Sequence, residues 1–281
     1  MPIDRLEGSV AVVTGAGSGL GRGLALSLAQ GGATVVAADL HLDRAEETAA
    51  LITEAGGSAQ AHPVDVADAQ QVEELASVAE RLGSVRVLCN NAGVFVGGPV
   101  WESTLDDWEW GLGVNLKGVI HGIRSFVPRM MADRNEGHVI NTASEAGLHA
   151  APFSGVYVTS KFAVVGASEA LMQDLAAAGS GIGVSVICPG MMATDIGASA
   201  EHRPDGLADA ADSDNVRMVQ DSIASELSNG RDPDEVARGV LDDVRAGQFT
   251  ISTSSTFDQR VAAHDQARLD RKAPDFQMYL A

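Results

Sequence analysis

The sequence predicts an α/β fold built on a doubly wound parallel sheet. Short apolar runs rich in β-branched residues alternate with helical segments along most of the chain, and such continuous runs are typical of buried parallel strands covered by helices on both faces. A glycine-rich turn, Thr14 to Gly21, also joins the first strand to the first helix. Together these features indicate a βαβ arrangement of the Rossmann type.

The elements follow one another in a regular order, without an internal repeat or an interdomain linker. We therefore expect one domain across residues 1–281. Strands are predicted at 8–14, 34–38, 58–64, 85–89, 137–142, 183–188 and 248–253. Helices are predicted at 19–30, 43–55, 68–82, 105–132, 154–178, 232–246 and 256–271.

Residues 191–230 interrupt this alternation. The segment is rich in Ala, Asp and Ser, and no strand is predicted in it. A long insertion of this kind is either a disordered linker or a lid over a site. Because it leaves the carboxyl end of a strand, where open α/β sheets bind ligands, we favour a substrate lid. The polar tail from about residue 255 is interpreted as a solvated helix, with a partner arm as the alternative.

Composition excludes several classes of protein. A net charge of −19 and a pI near 4.6 argue against binding to nucleic acid or to anionic lipid. No apolar run is long enough to span a membrane, so we expect a cytoplasmic protein. Cys89 and Cys188 end short β-rich runs without nearby histidines, which favours buried, reduced cysteines and no metal site.

The glycine turn and the acid that follows it predict a nucleotide site. Glycines at Gly15, Gly19 and Gly21 permit a tight turn that brings backbone amides close to a pyrophosphate at a helix N-terminus. Asp39 ends the second strand, where a carboxylate accepts hydrogen bonds from the adenosine ribose and repels a 2′-phosphate. We therefore expect NAD rather than NADP, although Arg44 lies close by in sequence.

Tyr157 and Lys161 are four residues apart on a predicted helix, so both side chains lie on one face. A positive charge about 4 Å from a phenolate is worth on the order of 4 kcal/mol, or roughly three pKa units. The pair is thus expected to lower the pKa of Tyr157 towards neutrality, where an acid–base catalyst works best. Taken alone, the same spacing favours an ordinary surface pair over a catalytic one.

Several motifs in order give the pair its context, and with them the sequence resembles the classical short-chain dehydrogenase/reductase family over roughly residues 6–195. The matching elements are the glycine loop Thr14 to Gly21, Asp65-Val66, Asn90-Asn91-Ala92-Gly93, Asn115, Ser144, Tyr157 with Lys161, and Pro189-Gly190 with Thr194.

The resemblance implies a catalytic tetrad. Tyr157 would exchange the proton of an alcohol, Lys161 would lower its pKa and bind the nicotinamide ribose, and Ser144 would hydrogen-bond the substrate oxygen. Asn115 would hold a water that leads to the lysine. The residues expected to bind the cofactor are Gly15, Ser18, Gly19, Leu20, Gly21, Asp39, Asp65, Val66, Asn91, Ala92, Gly93, Tyr157, Lys161, Pro189, Gly190, Met192 and Thr194.

The substrate pocket is predicted from residues that flank the tetrad and the lid. Core packing explains most of them equally well. Glu145 directly follows Ser144, and we expect it to face solvent, with a contact to a polar substrate as the alternative. The candidate substrate residues are Glu145, His149, Phe153, Met191 and Ile196.

These observations predict an NAD-dependent oxidoreductase that interconverts a secondary alcohol and a ketone by hydride transfer. The alternative is a catalytically silent protein of the same fold that senses a nucleotide or binds a partner. The resemblance also implies a homo-oligomer, dimer or tetramer, paired through the helices at 105–132 and 154–178. Small residues on the second helix, such as Ala163 and Ala167, would permit close packing.

Overall fold

The computed structural model describes residues 6–133, 136–207, 213–254 and 256–273. Its first half alternates strands and helices as the sequence predicts. The strands are β1 (Val10–Thr14), β2 (Thr34–Asp39), β3 (Ser58–Pro63) and β4 (Val85–Asn90). The helices between them are α1 (Gly19–Gln30), α2 (Leu42–Glu54) and α3 (Ala69–Leu82).

The second half continues the alternation, with the lid region inserted before the last strand. The strands are β5 (Gly137–Thr142), β6 (Ile182–Cys188) and β7 (Thr250–Ser252). The helices are α4 (Leu105–Leu112), α5 (Gly118–Ala132), α6 (Gly155–Ala177), α7 (Asp214–Ser228), α8 (Pro233–Arg245) and α9 (Phe257–Leu269).

The strands form one parallel sheet in the order β3-β2-β1-β4-β5-β6-β7. The chain starts in the middle at β1, winds outward to β3, crosses back to β4 and winds outward in the other direction. This reversal leaves a crevice between the carboxyl ends of β1 and β4, which is where ligands bind in open α/β sheets. The predicted Rossmann-type fold is confirmed.

Apolar side chains on the two faces of the sheet form separate cores. On one face, α1 and α8 pack against the strands through residues such as Leu24 and Val240, and both are fully buried. On the other face, α3, α5 and α6 contribute residues such as Leu75 and Phe126. The strands β1, β2, β4, β5 and β6 are buried along nearly their whole length, so their apolar runs are continuous, whereas the edge strand β3 alternates between exposed and half-buried residues over most of its length.

The predicted helix at 105–132 contains a feature that the sequence pattern does not reveal. A π-helical turn at Gly113–Lys117 separates α4 from α5. Thr104 caps α4 reciprocally with Asp107, which fixes where the helix begins. π-turns inside α-helices often occur at functional sites, and this one contains Asn115.

Within the described ranges, no helix combines the length and the apolar character needed to cross a membrane.

Candidate active site

A continuous cleft of about 1120 Å³ lies over the carboxyl edge of the sheet. Loops after β1, β2 and β4 line one end of it. The loop after β5, the start of α6 and the segment after β6 line the other end, and one residue of α9 reaches the same end. The cleft thus joins the predicted nucleotide loop to the predicted tetrad.

The glycine loop has the conformation that its sequence predicts. Gly15 and Gly19 have positive φ values of +65° and +49°. A β-carbon at Gly21 would lie 2.0 Å from the carbonyl oxygen of Gly15, so any other residue would force the turn apart. Ser18 precedes α1 and makes no side-chain capping hydrogen bond. The N-terminus of α1 is therefore available to an anion, and because the Leu20 side chain is buried in the core, only its backbone can contribute.

Asp39 is held in a fixed orientation at the end of β2. Its Oδ2 accepts a hydrogen bond from the Gly17 amide at 2.8 Å, and its Oδ1 accepts one from the His41 amide at 3.0 Å. Arg44 lies beside it, since a β-carbon at Gly17 would be 2.7 Å from Arg44 Cβ and 2.8 Å from Asp39 Oδ2. An acid and a base therefore flank the same part of the cleft.

The loop after β4 is tied to the loop after β1. Thr14 Oγ1 accepts hydrogen bonds from the amides of Asn91 at 3.0 Å and Ala92 at 3.1 Å. Asn91 Nδ2 donates to the Thr14 carbonyl oxygen at 3.1 Å. A β-carbon at Gly93 would lie 3.4 Å from Lys161 Nζ, so this loop runs from the glycine turn to the predicted catalytic lysine.

Asp65 and Val66 line the cleft on the β3 side, near Asp39. Asp65 Oδ1 accepts a hydrogen bond from the Ala67 amide at 2.9 Å, as in an Asx-turn. Val66 is buried, and its carbonyl oxygen pairs with His121 Nδ1 at 2.9 Å. The Asp65 side chain therefore stabilises the turn after β3, and its contact with a cofactor stays a prediction.

Ser144, Tyr157 and Lys161 are brought together by two elements. Ser144 follows β5, while Tyr157 and Lys161 share one face of α6. Lys161 Nζ lies 5.5 Å from the centroid of the Tyr157 ring. It is buried, and it donates a hydrogen bond to the Thr142 carbonyl oxygen at 3.0 Å. The Phe95 ring packs edge-on against Tyr157 with the centroids 5.2 Å apart.

The expected lowering of the tyrosine pKa is not found in this arrangement. Burial raises the pKa of Tyr157, and a hydrogen bond with the Ser144 side chain opposes that shift. Burial also lowers the pKa of Lys161 to about 8. The simple Coulomb estimate fails because it omits the desolvation of the two groups, and Lys161 also uses one of its donors on the Thr142 carbonyl oxygen.

Asn115 lies in the π-turn and is almost fully buried. Its Oδ1 accepts a hydrogen bond from the Val94 amide at 2.8 Å. Its Nδ2 donates to the Val94 carbonyl at 2.9 Å and to Ser160 Oγ at 3.0 Å. Both amide hydrogens are therefore used, and one lone pair of Oδ1 remains for a further donor. The side chain connects the loop after β4 with α6.

The four predicted cofactor residues after β6 line the middle of the cleft. The Gly190 amide donates to Thr253 Oγ1 at 3.1 Å. Met192 pairs with Arg231 through a β-bridge and packs against the core. The Thr194 methyl group would lie 2.9 Å from a β-carbon at Gly19, so this segment reaches the glycine loop. Pro189 accepts a backbone hydrogen bond from Glu145 at 3.0 Å.

The first part of the lid region, up to residue 207, is attached to the rim of the cleft. Ser199 Oγ accepts a hydrogen bond from the Phe95 amide at 2.9 Å. His202 Nδ1 and His41 Nε2 are 3.0 Å apart and share a hydrogen bond. Arg203 Nη1 and Asp107 Oδ1 form a buried ion pair at 2.7 Å. These contacts favour a lid over a linker. Residues 208–212 of the predicted lid lie outside the described residues.

His149, Phe153, Met191 and Ile196 all line the cleft, and their contact with a substrate stays a prediction. Phe153 has a φ of +54°, which is strained for an aromatic residue. Its carbonyl oxygen accepts a hydrogen bond from the Gly98 amide at 2.6 Å, which helps to hold that conformation. Strain of this kind concentrates at functional sites.

The expectation that Glu145 faces solvent is wrong. Only 7% of the residue is exposed. Its amide donates to the Pro189 carbonyl oxygen, and this turns the side chain inward. Glu145 Oε2 lies 3.7 Å from Arg260 Nη1 and 3.9 Å from His149 Nε2. A lone acid after a loop serine has no sequence signal for burial, because its partner comes from the far C-terminal region.

The prediction of a solvated C-terminal helix is wrong for the inner face of α9. His264 is buried, Phe257 packs against a core cluster, and Arg260 reaches the cleft. The three are spaced i, i+3 and i+7, which is a weak helical signal among many polar residues. Arg260, His41 and Phe95 are therefore site residues that the sequence reasoning missed. Residues 255 and 274–281 of the predicted tail lie outside the described residues.

The residues present fit a dinucleotide. The glycine loop leaves room against α1, Asp39 presents a carboxylate at one end, and the small segment Asn91 to Gly93 leads to Lys161. Across the described ranges, no three His, Cys, Asp or Glu side chains cluster in a way that could hold a metal ion. Cys89 and Cys188 are free and buried, and burial raises the pKa of each thiol to about 12.

Known proteins resemble this chain over nearly its whole length. It is 32% identical to a C alpha-dehydrogenase from a Sphingobium species over 95% of this chain and 88% of that protein. A short-chain dehydrogenase/reductase from Burkholderia phymatum, solved in complex with NAD, has a TM-score of 0.94 and 35% identity over 96% and 98% of the two chains.

A further solved structure, from Beutenbergia cavernae with bound NADP at low occupancy, has a TM-score of 0.74 and 29% identity over 92% of this chain and 100% of that one. The family model for short chain dehydrogenases matches residues 9–205, which hold the glycine loop, the tetrad residues and the start of the lid region. On this evidence the chain belongs to the short-chain dehydrogenase/reductase family of oxidoreductases.

Proposed function

We propose that this protein is an NAD-dependent dehydrogenase that interconverts a secondary alcohol and a ketone, with Tyr157 as the general acid/base. One observation carries the proposal. Ser144, Tyr157 and Lys161 meet at one end of a single cleft whose other end holds the glycine loop and Asp39. The nicotinamide of the bound cofactor supplies the hydride chemistry, and the protein has to position the alcohol and remove its proton.

Each tetrad residue has a role that its position supports. Ser144 hydrogen-bonds the reacting oxygen of the substrate, where charge develops during the reaction. Tyr157 accepts the alcohol proton in oxidation and returns it in reduction. Lys161, buried behind Tyr157, stabilises the phenolate and reaches towards the loop of Gly93. Asn115 fixes that loop to α6, and its remaining lone pair can hold a water in a proton relay.

We propose NAD over NADP because the Asp39 carboxylate is held at the end of β2, where it would repel a 2′-phosphate. Arg44 beside it is the group that would favour NADP. The relatives do not decide between the two, since one solved structure is an NAD complex and another holds NADP. The dissociation constants of the two oxidised cofactors test the preference. A dissociation constant for NAD at least tenfold below that for NADP supports it, and an equal or larger one contradicts it.

We also propose that residues 191–230 act as the substrate lid and that the protein assembles as a homo-oligomer through its two long helical segments. The lid proposal rests on the contacts of Ser199, His202 and Arg203 with the rim of the cleft. Light scattering tests the assembly, and a monomer across the working concentration range would contradict it.

The test of the main proposal is formation of NADH from NAD by the purified protein with a panel of secondary alcohols. Turnover of at least one secondary alcohol, with no turnover of the matched tertiary alcohols, is the expected result. If NAD binds and no alcohol or ketone on the panel reacts, the proposal is wrong, and the silent nucleotide-binding alternative is supported instead.

A further inference from the structure

The carboxyl group of Glu145 occupies an unusual position at the tetrad end of the cleft. It directly follows Ser144, is more than nine-tenths buried, and lines the cleft. Its Oε1 has no hydrogen-bond partner among the described residues. That atom faces the bare backbone of Gly190, because a β-carbon there would lie 3.3 Å from it. Glu145 thus lines the cleft with a carboxylate of which one oxygen meets no protein donor.

The groups around Glu145 compensate its charge only in part. Arg260 Nη1 lies 3.7 Å from Oε2, which is an ion-pair distance longer than a hydrogen bond. His149 Nε2 lies 3.9 Å from the same oxygen. Burial, together with the charges of Arg260 and His264, lowers the pKa of His149 to about 4, so that imidazole is neutral at physiological pH. Both neighbours lie within ion-pair distance of Oε2, and Oε1 has no hydrogen-bond partner.

An unpaired buried acceptor costs free energy in any fold. Such an atom is kept in a native structure when it has a function or when a ligand pairs with it. Here the atom belongs to a residue that lines the cleft, directly after the serine that is proposed to hold the reacting oxygen. Sites built to hydrogen-bond a substrate group reject analogues that lack the group, because the buried partner is then left unpaired.

We propose that Glu145 is a specificity-determining residue, whose carboxylate accepts a hydrogen bond from a hydroxyl or ammonium group of the substrate close to the reacting carbinol. The substrate class is therefore a vicinal diol or an amino alcohol, not a simple secondary alcohol. Arg260 is a positioning residue, which holds the carboxylate from α9 at an ion-pair distance. This inference rests on the proposed function and names the substrate class of the same site.

Three related alcohols test the proposal. α-Methylbenzyl alcohol, phenylethylene glycol and phenylethanolamine share one benzylic secondary carbinol and carry a hydrogen, a hydroxyl or an ammonium group on the neighbouring carbon. Phe95 and Phe153 line this end of the cleft and offer an aromatic wall for the shared ring. We expect kcat/KM with NAD to be about 10- to 100-fold higher for at least one donor-bearing alcohol than for α-methylbenzyl alcohol.

Two variants of Glu145 separate the two donors. Glu145→Leu removes the acceptor, and the preference for either donor-bearing alcohol should fall to about onefold. Glu145→Gln keeps a neutral acceptor, so it should retain part of a preference for phenylethylene glycol and lose any preference for phenylethanolamine. Arg260→Ala should weaken the preference, whereas Arg268→Ala, an exposed arginine on the same helix, should leave it unchanged.

A second readout does not depend on turnover. Calorimetric binding of phenylethylene glycol and of phenylethanolamine to the protein with NADH, where oxidation cannot proceed, should show the same order of affinities and the same loss in Glu145→Leu. The inference is overturned if the wild type oxidises α-methylbenzyl alcohol as well as both donor-bearing alcohols, or if Glu145→Leu keeps the wild-type ratios. Absence of all turnover would instead count against the proposed dehydrogenase activity.

Discussion

The two ends of the cleft are built in different ways. At the nucleotide end, the glycine loop, Asp39 and Asn91 are joined by backbone and short side-chain hydrogen bonds between neighbouring strand ends. At the substrate end, the wall is assembled from segments far apart in the chain, and contacts such as Glu145 with Arg260 join them. The first end depends on local turn geometry, and the second depends on how distant segments pack.

This difference determines how freely the residues at each end of the cleft can be substituted. A β-carbon at Gly21 would lie 2.0 Å from the Gly15 carbonyl oxygen, so a substitution there has to displace the turn at the nucleotide end. A wall formed by the lid and α9 can change residue by residue without disturbing the sheet. On the proposed function, the strand ends hold the cofactor, and the attached segments determine which substrate is accepted.

Lys161→Met gives the largest expected effect, because Lys161 lies where the two ends meet. Turnover should fall about ten-thousandfold, since the positive charge beside Tyr157 is lost. Burial lowers the pKa of Lys161 to about 8, so the buried ammonium costs stability at neutral pH. The free energy of unfolding in the absence of cofactor should therefore not fall in the variant.

Lys117→Met is the matched control, because Lys117 is exposed and pairs with Glu109 on the same helical segment. It should keep turnover. Denaturant unfolding and steady-state rates measure the two quantities. A Lys161→Met protein that retains wild-type turnover would contradict the assignment of this residue.

Acid should destabilise the protein through two buried histidines, one on a strand of the sheet and one in the cleft. Burial lowers the pKa of His138 on β5 and of His149 in the cleft to about 4. Between about pH 6.5 and pH 4 the unfolded chain binds protons that the folded chain does not, so stability is lost as the pH falls through this window. Each histidine contributes at most about 3 kcal/mol.

Unfolding curves across that pH window measure the loss. His138→Gln should flatten the pH dependence by its share, since a glutamine takes up no proton and can still face Ser185 Oγ. If the variant shows the same pH slope as the wild type, His138 is not neutral in the folded protein and the interpretation of its burial is wrong.

Gly21→Ala gives a smaller effect that should be confined to the nucleotide end. The added methyl group would meet the Gly15 carbonyl oxygen and Asn91 Nδ2, so the loop has to shift. Overpacking of this size costs about 1 to 3 kcal/mol, or roughly 10- to 100-fold in the dissociation constant of NAD. Gly166→Ala on α6, where a β-carbon meets no atom within 4 Å, is the control. Equal NAD affinities in the two variants would contradict the role of the loop.

The sequence predicts the sheet, the helices and the nucleotide end well because their signals are local. β-branched runs and a glycine turn mark their own conformations, and the predicted limits of α1 and β5 agree with the observed ones. The family resemblance identifies Asn115, but the sequence does not predict the π-turn that contains it. A π-turn of five residues changes the apolar periodicity of the predicted helix too little to be recognised.

The sequence predicts the substrate end poorly because its geometry depends on distant partners. Glu145 was expected in solvent, since nothing near it in the chain indicates that Arg260 approaches from α9. The pKa of Tyr157 was expected to fall, because a Coulomb estimate from helical spacing omits the desolvation of Lys161. Both errors come from burial, which is a property of the assembled fold.

Tyr157→Phe tests the central claim most directly, since it removes one hydroxyl group at the point where both ends of the cleft meet. NAD affinity, measured by calorimetry, should stay within about threefold of the wild type, because most of the proposed cofactor contacts lie elsewhere in the cleft. Turnover of a secondary alcohol should fall by about a hundredfold to ten-thousandfold. A Tyr157→Phe protein that binds NAD and oxidises the alcohol at the wild-type rate would contradict the account.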